Sequence, residues 1–213
     1  ADDNVWIGYQ CGLTNTTGTG NTGVGKDALR ANTTAGLNTA VGSDALTLNT
    51  TGQQNTVVGA LAMDANTTGS NCTAVGMSTL GQNTTGHSNT AFGHNSMAVN
   101  TTGIQNVALG MQTLFHNNAS NNVAVGHYAL ESNTSGSELV AVGKSALDAN
   151  TTASACTAVG FESLFSNTTG IRNTAIGRKA LRLVETGQQN TAVGQAALAT
   201  NTASNNVAIG HDA

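Results

Sequence analysis

The sequence predicts an all-β fold, a parallel β-solenoid of about thirteen coils, on three observations. One unit of seventeen residues repeats along the chain, alternate positions at its start are apolar or β-branched, and most units carry an Asn-Thr-Thr-Gly turn segment or a one-residue variant of it.

The period comes first. A tetrad closing on glycine recurs at Gly8, Gly25, Gly42, Gly59, Gly76, Gly93, Gly110, Gly126, Gly143, Gly160, Gly177, Gly194 and Gly210, and ten of the twelve intervals are seventeen residues. The other two are sixteen, through the loss of a residue near Asn121 and Asn205, which reads as a deletion in a turn. The unit is N-T-A-V-G-x-x-A-L-x-x-N-T-T-G-x-x, numbered here from its first Asn.

The strand follows. Position two is Thr or Val in every copy, and position four is Val, Ile, Leu or Phe. Side chains alternate across a strand, so these two positions share one face, which is expected to form the core ladder through Val24, Val41, Val58 and Val75. Position nine, with Leu29, Leu46 and Leu80, is the expected facing wall. The glycine at position five ends the strand, and Asn and Gly at positions twelve to fifteen supply turn chemistry. A single coil cannot bury its apolar face, so coils stack with Val on Val and Leu on Leu. At about 4.8 Å per coil the twelve rises predict a rod of roughly 58 Å.

Two further ladders carry information. Position one is mostly Asn but accepts Cys72, Leu139 and Cys156, which suits an internal Asn ladder bonding the turn backbone. Position three alternates with two and four and should face water, yet it is Ala in ten of thirteen copies. The residues Ala40, Ala74, Ala91, Ala108, Ala124, Ala141 and Ala158 are therefore read as a stripe against which an identical chain packs. Duplication of the unit without pressure for polarity would leave the same pattern. Trp6, Gly23 and Val57 are the exceptions, and Trp6 either plugs the end of a bundle or marks a different terminal unit.

Composition removes several classes of function. Aromatics are 3%, charged residues 8%, and Pro is absent, but the wealth of Val, Ile and Thr argues for order rather than disorder. A net charge of −4 and seven scattered Lys and Arg give no basic stripe, so nucleic acid is not an expected partner. No run of eighteen apolar residues predicts membrane insertion, and the chain opens at Ala1-Asp2-Asp3 without a leader pattern.

Chemistry-bearing residues do not converge. Of His87, His94, His116, His127 and His211, three follow the glycine at position six, and His94 and His127 stand about 10 Å apart by coil count, too far to share a metal. Cys72 and Cys156 are five coils, about 24 Å, apart and Cys11 is four coils from Cys72, so free thiols are expected. Cross-linking between chains would need position one or eight at a shared axis. Asp27 and Asp44 share position seven without forming an acid-base pair, and the glycines are spaced by coil rather than as a phosphate loop. No enzyme activity, metal or cofactor is expected. Asn15, Asn32, Asn49, Asn66, Asn83, Asn100, Asn150 and Asn167 head glycosylation sequons, but turn-forming Asn explains the triplet without a glycosylating host and is the favoured reading.

The motif N-[TV]-A-[VI]-G followed by A-L resembles the head repeats of trimeric autotransporter adhesins of the YadA type. With its N-T-T-G turn the longer unit is similar to the shaft repeats of phage tail fibres, including those followed by an endosialidase-type chaperone. The resemblance implies a left-handed β-roll and a homotrimer with the small-residue stripe near its axis. The chain departs from the adhesin pattern by its longer turn and holds no heptad stalk, anchor or chaperone-like segment, so it reads as one repeat domain, 1–213, cut from a longer fibre. The expected function is an extracellular structural and adhesive segment on a virion or cell, touching a host receptor or glycan through positions six, seven, ten, eleven, sixteen and seventeen. Two alternatives stand beside it. The Thr pairs at positions thirteen and fourteen, such as Thr33-Thr34, Thr50-Thr51 and Thr67-Thr68, could order water for ice binding, although Asn118 and Glu185 interrupt the row. Bare coil ends could also stack into a matrix filament.

Overall fold

The computed structural model describes residues 3–213, so Ala1 and Asp2 of the opening triplet lie outside it. The chain has two compact units, one ending at Asn106 and one beginning at Val107. The first contains β1 (Val5–Ile7), β2 (Thr22–Val24), β3 (Thr39–Val41), β4 (Thr56–Val58), β5 (Thr73–Val75) and β6 (Thr90–Phe92). The second contains β7 (Val107–Leu109), β8 (Val123–Val125), β9 (Val140–Val142), β10 (Thr157–Val159), β11 (Thr174–Ile176), β12 (Thr191–Val193) and β13 (Val207–Ile209). Within each unit consecutive strands pair in parallel and in register, so Val24 lies beside Val41 and Ala158 beside Ala175. Each unit is thus a parallel β-solenoid of the seventeen-residue coil, and the described residues contain no helix. The two sixteen-residue coils keep this phase: Val107 pairs with Val123 and Thr191 with Val207.

The strand faces are the reverse of the sequence expectation. Ala40, Ala74, Ala91, Ala108, Ala124, Ala141 and Ala158 are fully buried within their own chain, so they form the core and not an inter-chain stripe. Val24, Val41 and Val75 are only half-buried and Val58 is 38% exposed, so this ladder lies on the outside of the coil. The reason is the way the coil closes. Position three looks across the interior at position eight of the preceding coil: a Cβ on Gly23 would sit 2.6 Å from the Cys11 thiol. Most copies place Ala here and Val57 also fits fully buried, while the one tryptophan at this position is accommodated by Gly12 and Gly23. A Cβ on Gly12, where other coils carry Leu or Met, would meet the Trp6 indole at 2.5 Å. Trp6 therefore turns inward and fills the space that Gly12 and Gly23 leave.

Leu29, Leu46 and Leu80 are the bulky fillers of the same interior, each fully buried. Ala28 and Leu29 are adjacent yet both point inward, because Leu29 is left-handed at φ 51° and breaks the strand alternation. Asp27 before them and Leu37 at position seventeen share this conformation. A left-handed leucine costs roughly 1–2 kcal/mol. Burial of its side chain contributes about 1.5–3 kcal/mol, and its amide donates to the Ala45 carbonyl of the next coil at 3.1 Å. The conformation persists because packing and hydrogen bonding outweigh its cost.

Two asparagine ladders line the rest of the interior. At position one, the Asn38 side chain donates to the Gly52 carbonyl at 2.9 Å and its Oδ1 accepts the Asn55 backbone amide at 2.9 Å. At position twelve, Asn49 donates to Asn32 Oδ1 at 3.0 Å and to the same Gly52 carbonyl at 2.9 Å. Both amides thus converge on one turn carbonyl per coil, which satisfies groups that no water reaches. Where an apolar residue enters a ladder, as Leu139 and Val184 do, it is fully buried too. At position five, Gly42 has φ 140° and a Cβ there would strike the Gly59 carbonyl at 2.5 Å, so the sharp exit from the strand requires glycine.

Candidate interaction surface

Three surfaces of the coil face outward, and each is built by one segment of the repeat. The strand presents positions two and four, the corner presents six, seven, ten and eleven, and the turn presents thirteen, fourteen, sixteen and seventeen, with position fifteen turned inward.

The strand face carries no charged residue at position two or four in any copy. Its apolar row is accessible where the side chains are large: Phe92 is 40%, Leu109 36% and Ile176 42% exposed. In the first unit the companion row is Thr22, Thr39, Thr56, Thr73 and Thr90, stacked in register from β2 to β6.

On the turn face the two rows of each Thr pair differ. The position-thirteen hydroxyls are occupied, as Thr33 Oγ1 donates to the Thr50 carbonyl at 3.0 Å and Thr50 Oγ1 to that of Thr67 at 3.0 Å. In these coils the position-fourteen residues Thr34, Thr51 and Thr68 are the exposed members of the Thr pairs. The sequon asparagines Asn32, Asn49, Asn66, Asn83, Asn100, Asn150 and Asn167 are fully buried, so folding removes their amides from any glycosylating enzyme, and Asn15 is half-buried.

The corner gathers the charged and aromatic residues. In coils ten and eleven the Arg178 guanidinium lies over the Phe161 ring at 5.9 Å and that of Arg182 over Phe165 at 5.5 Å. Glu162 joins them, accepting from Arg182 Nε at 2.8 Å with Lys179 Nζ at 3.9 Å. Four of the seven basic residues fall between Arg172 and Arg182, a local concentration that a chain-wide count of charge conceals. A position-seven carboxylate meets position ten of the next coil, and where both are acidic the relation is repulsive. Burial, and then the Asp44 charge, push the Asp64 carboxyl up. Burial, and then the charge of Asp148 at position ten of the next coil, likewise raise Glu131, which is itself at position ten, and burial raises Asp148.

The remaining candidates stay apart. His87, His94, His116 and His211 are exposed, whereas His127 is half-buried and stacks on Tyr128 at 3.8 Å. Among the described residues no group of three or more His, Cys, Asp or Glu is placed to hold a metal ion. Cys11, Cys72 and Cys156 are free thiols. Burial pushes the Cys72 thiol up to about 11 and also raises Cys156. Position one faces the interior, so Cys72 and Cys156 are out of reach of a second chain.

Compared with family models, with curated proteins and with solved structures, the chain matches none.

Proposed function

We propose that this chain is a non-catalytic structural and adhesive segment of an extracellular fibre, carried on a virion or a cell surface, and that it associates as a homotrimer. The observation that carries the reading is the uncharged strand face, with its exposed apolar row at position four. A repeating apolar ladder in water favours a partner of the same repeat, and a second and third copy of this chain supply one without any new chemistry. The axis of association is then the Val and Thr face, since the Ala row is consumed inside the coil. The corner and turn residues remain outside the assembly and free to vary, as contact with a host surface requires. The repeat's resemblance to tail-fibre shafts and adhesin heads supports the same reading. Light scattering on the purified chain tests it: the mass of three chains is expected, and the mass of one chain across the accessible concentration range would defeat it.

A second reading has one specific observation in its favour. The five stacked Thr of the first unit, each flanked by an apolar position-four residue, form an outward array at one-coil spacing. Such a surface could order water for ice binding, with the array on the strand instead of at position thirteen. The two readings need the same face, covered in one case and bare in the other. A monomer with thermal hysteresis and ice shaping would favour ice; a trimer without them would favour the fibre.

A further inference from the structure

We infer that the corner of coils ten and eleven is an anion-binding site for an acidic polysaccharide, with Arg178 and Arg182 as the residues that take its carboxylate or sulfate groups. The inference deepens the adhesive reading by naming a ligand class, and rests on it for the assumption that this corner is displayed outward.

Both guanidinium groups lie over an aromatic ring, and Arg182 is the more firmly held. Each is laid on a phenylalanine ring of the coil before it, and Arg182 is fixed further through its Nε by Glu162. The Arg182 guanidinium, restrained in this way, loses little entropy on binding, and both groups offer the fork of donors that matches an oxoanion. Arg178 is exposed and makes no ion pair among the described residues. Glu162 is divided between Lys179 and Arg182, so this corner keeps three cations against one carboxylate. In a chain of net charge −4 that is a reversal of local sign.

The surroundings select the kind of anion. On one side the next coil offers Gln195, Ala196 and Ala199 at the equivalent positions, and on the other the preceding coil offers Lys144 but also Asp148. The cationic patch is therefore short, about two coils or roughly 10 Å. A nucleic acid, charged at every nucleotide, would run from it onto neutral and acidic coils. A polysaccharide with one acidic group per few sugars would not. Phe161, 37% exposed, and Leu183, 41% exposed, add apolar surface for the C–H face of a sugar ring.

The test measures binding of the whole chain to heparin, to polygalacturonate, to neutral dextran and to duplex DNA at fixed ionic strength. Binding to at least one of the two acidic polysaccharides and not to dextran is expected, and the two arms separate sulfate from carboxylate. The double substitution Arg178→Gln, Arg182→Gln should weaken that binding at least about tenfold. Lys26→Gln with Arg30→Gln, which removes two cations from the first unit, should change it less than about twofold. Circular dichroism confirms that both variants stay folded. Equal losses in the two variants, no binding to either acidic polymer, or DNA binding of equal strength would each overturn the site. Mass measured on the same samples keeps the two ideas separable: a trimer that binds neither polymer defeats only the site, and a monomer that binds defeats only the fibre.

Discussion

Asn66 donates from one side-chain nitrogen to Asn49 Oδ1 at 2.8 Å and to the Gly69 carbonyl at 3.0 Å, so a single amide joins two coils and closes its own turn. The link recurs along the Asn ladder, where side-chain packing is thin and the largest filler of most coils is one Leu or Met. Polar ladders supply the specificity that a bulky core would supply elsewhere, because each amide is satisfied only when the coils are in register.

Asn49→Ala breaks this ladder at one rung. It leaves the Asn66 amide and the Oδ1 of Asn32 short of partners in a dry interior, and destabilisation of about 2–4 kcal/mol is expected by chemical denaturation. Thr51→Ala, on the exposed row of the same turn, should stay within about 0.5 kcal/mol.

The direction of the strand faces is tested by a neighbouring pair. Ala141→Asp buries a carboxylate with no partner and should cost at least about 4 kcal/mol, enough to abolish cooperative unfolding of the second unit. Val142→Asp, one residue on and half-exposed, should cost about 1 kcal/mol in the isolated chain while reducing the mass of any oligomer. Equal tolerance at the two positions would contradict the observed orientation.

Buried thiols give a probe of coil integrity. With its pKa raised to about 11 and no solvent contact, Cys72 should be silent to an aromatic disulfide reagent at pH 8, as should Cys156. Half-buried Cys11 should react first, and all three should react once denaturant opens the coils. A Cys72 that is labelled equally fast in folded and unfolded protein would show that the interior is open.

The acidic corner residues set the sign of a pH effect. Asp64, Glu131 and Asp148 hold their protons more tightly folded than unfolded, through burial first. In the window just above the ordinary carboxylate pKa of about 4, the folded state therefore binds more protons, and stability falls as pH rises. Thermal unfolding midpoints should be higher at pH 4 than at pH 6, and Asp64→Asn should reduce the difference.

Some of this was legible in one dimension and some was not. The glycine period determines the number of coils and their register, because stacking equivalent residues is the one arrangement that satisfies every copy at once. The Asn at position one was also readable as internal, from its exchange with Cys and Leu. That reading already contained the orientation of the strand, since positions one and three share a face and a buried Asn38 requires a buried Ala40. Weight of hydrophobicity pulled the other way, toward Val at positions two and four. The stacking of Arg178 and Arg182 on Phe161 and Phe165 left a weaker trace, as residues seventeen apart meet only after the coil is closed.

The sequence by itself determined a repeating parallel solenoid, its register and its turns, because periodicity is a property of the chain. Only the tertiary structure decided which strand face is interior. That choice depends on how the coil closes, with position three facing position eight across an interior that holds Ala in most copies and Val57 in one, and no pattern of alternation shows which face the coil closes over.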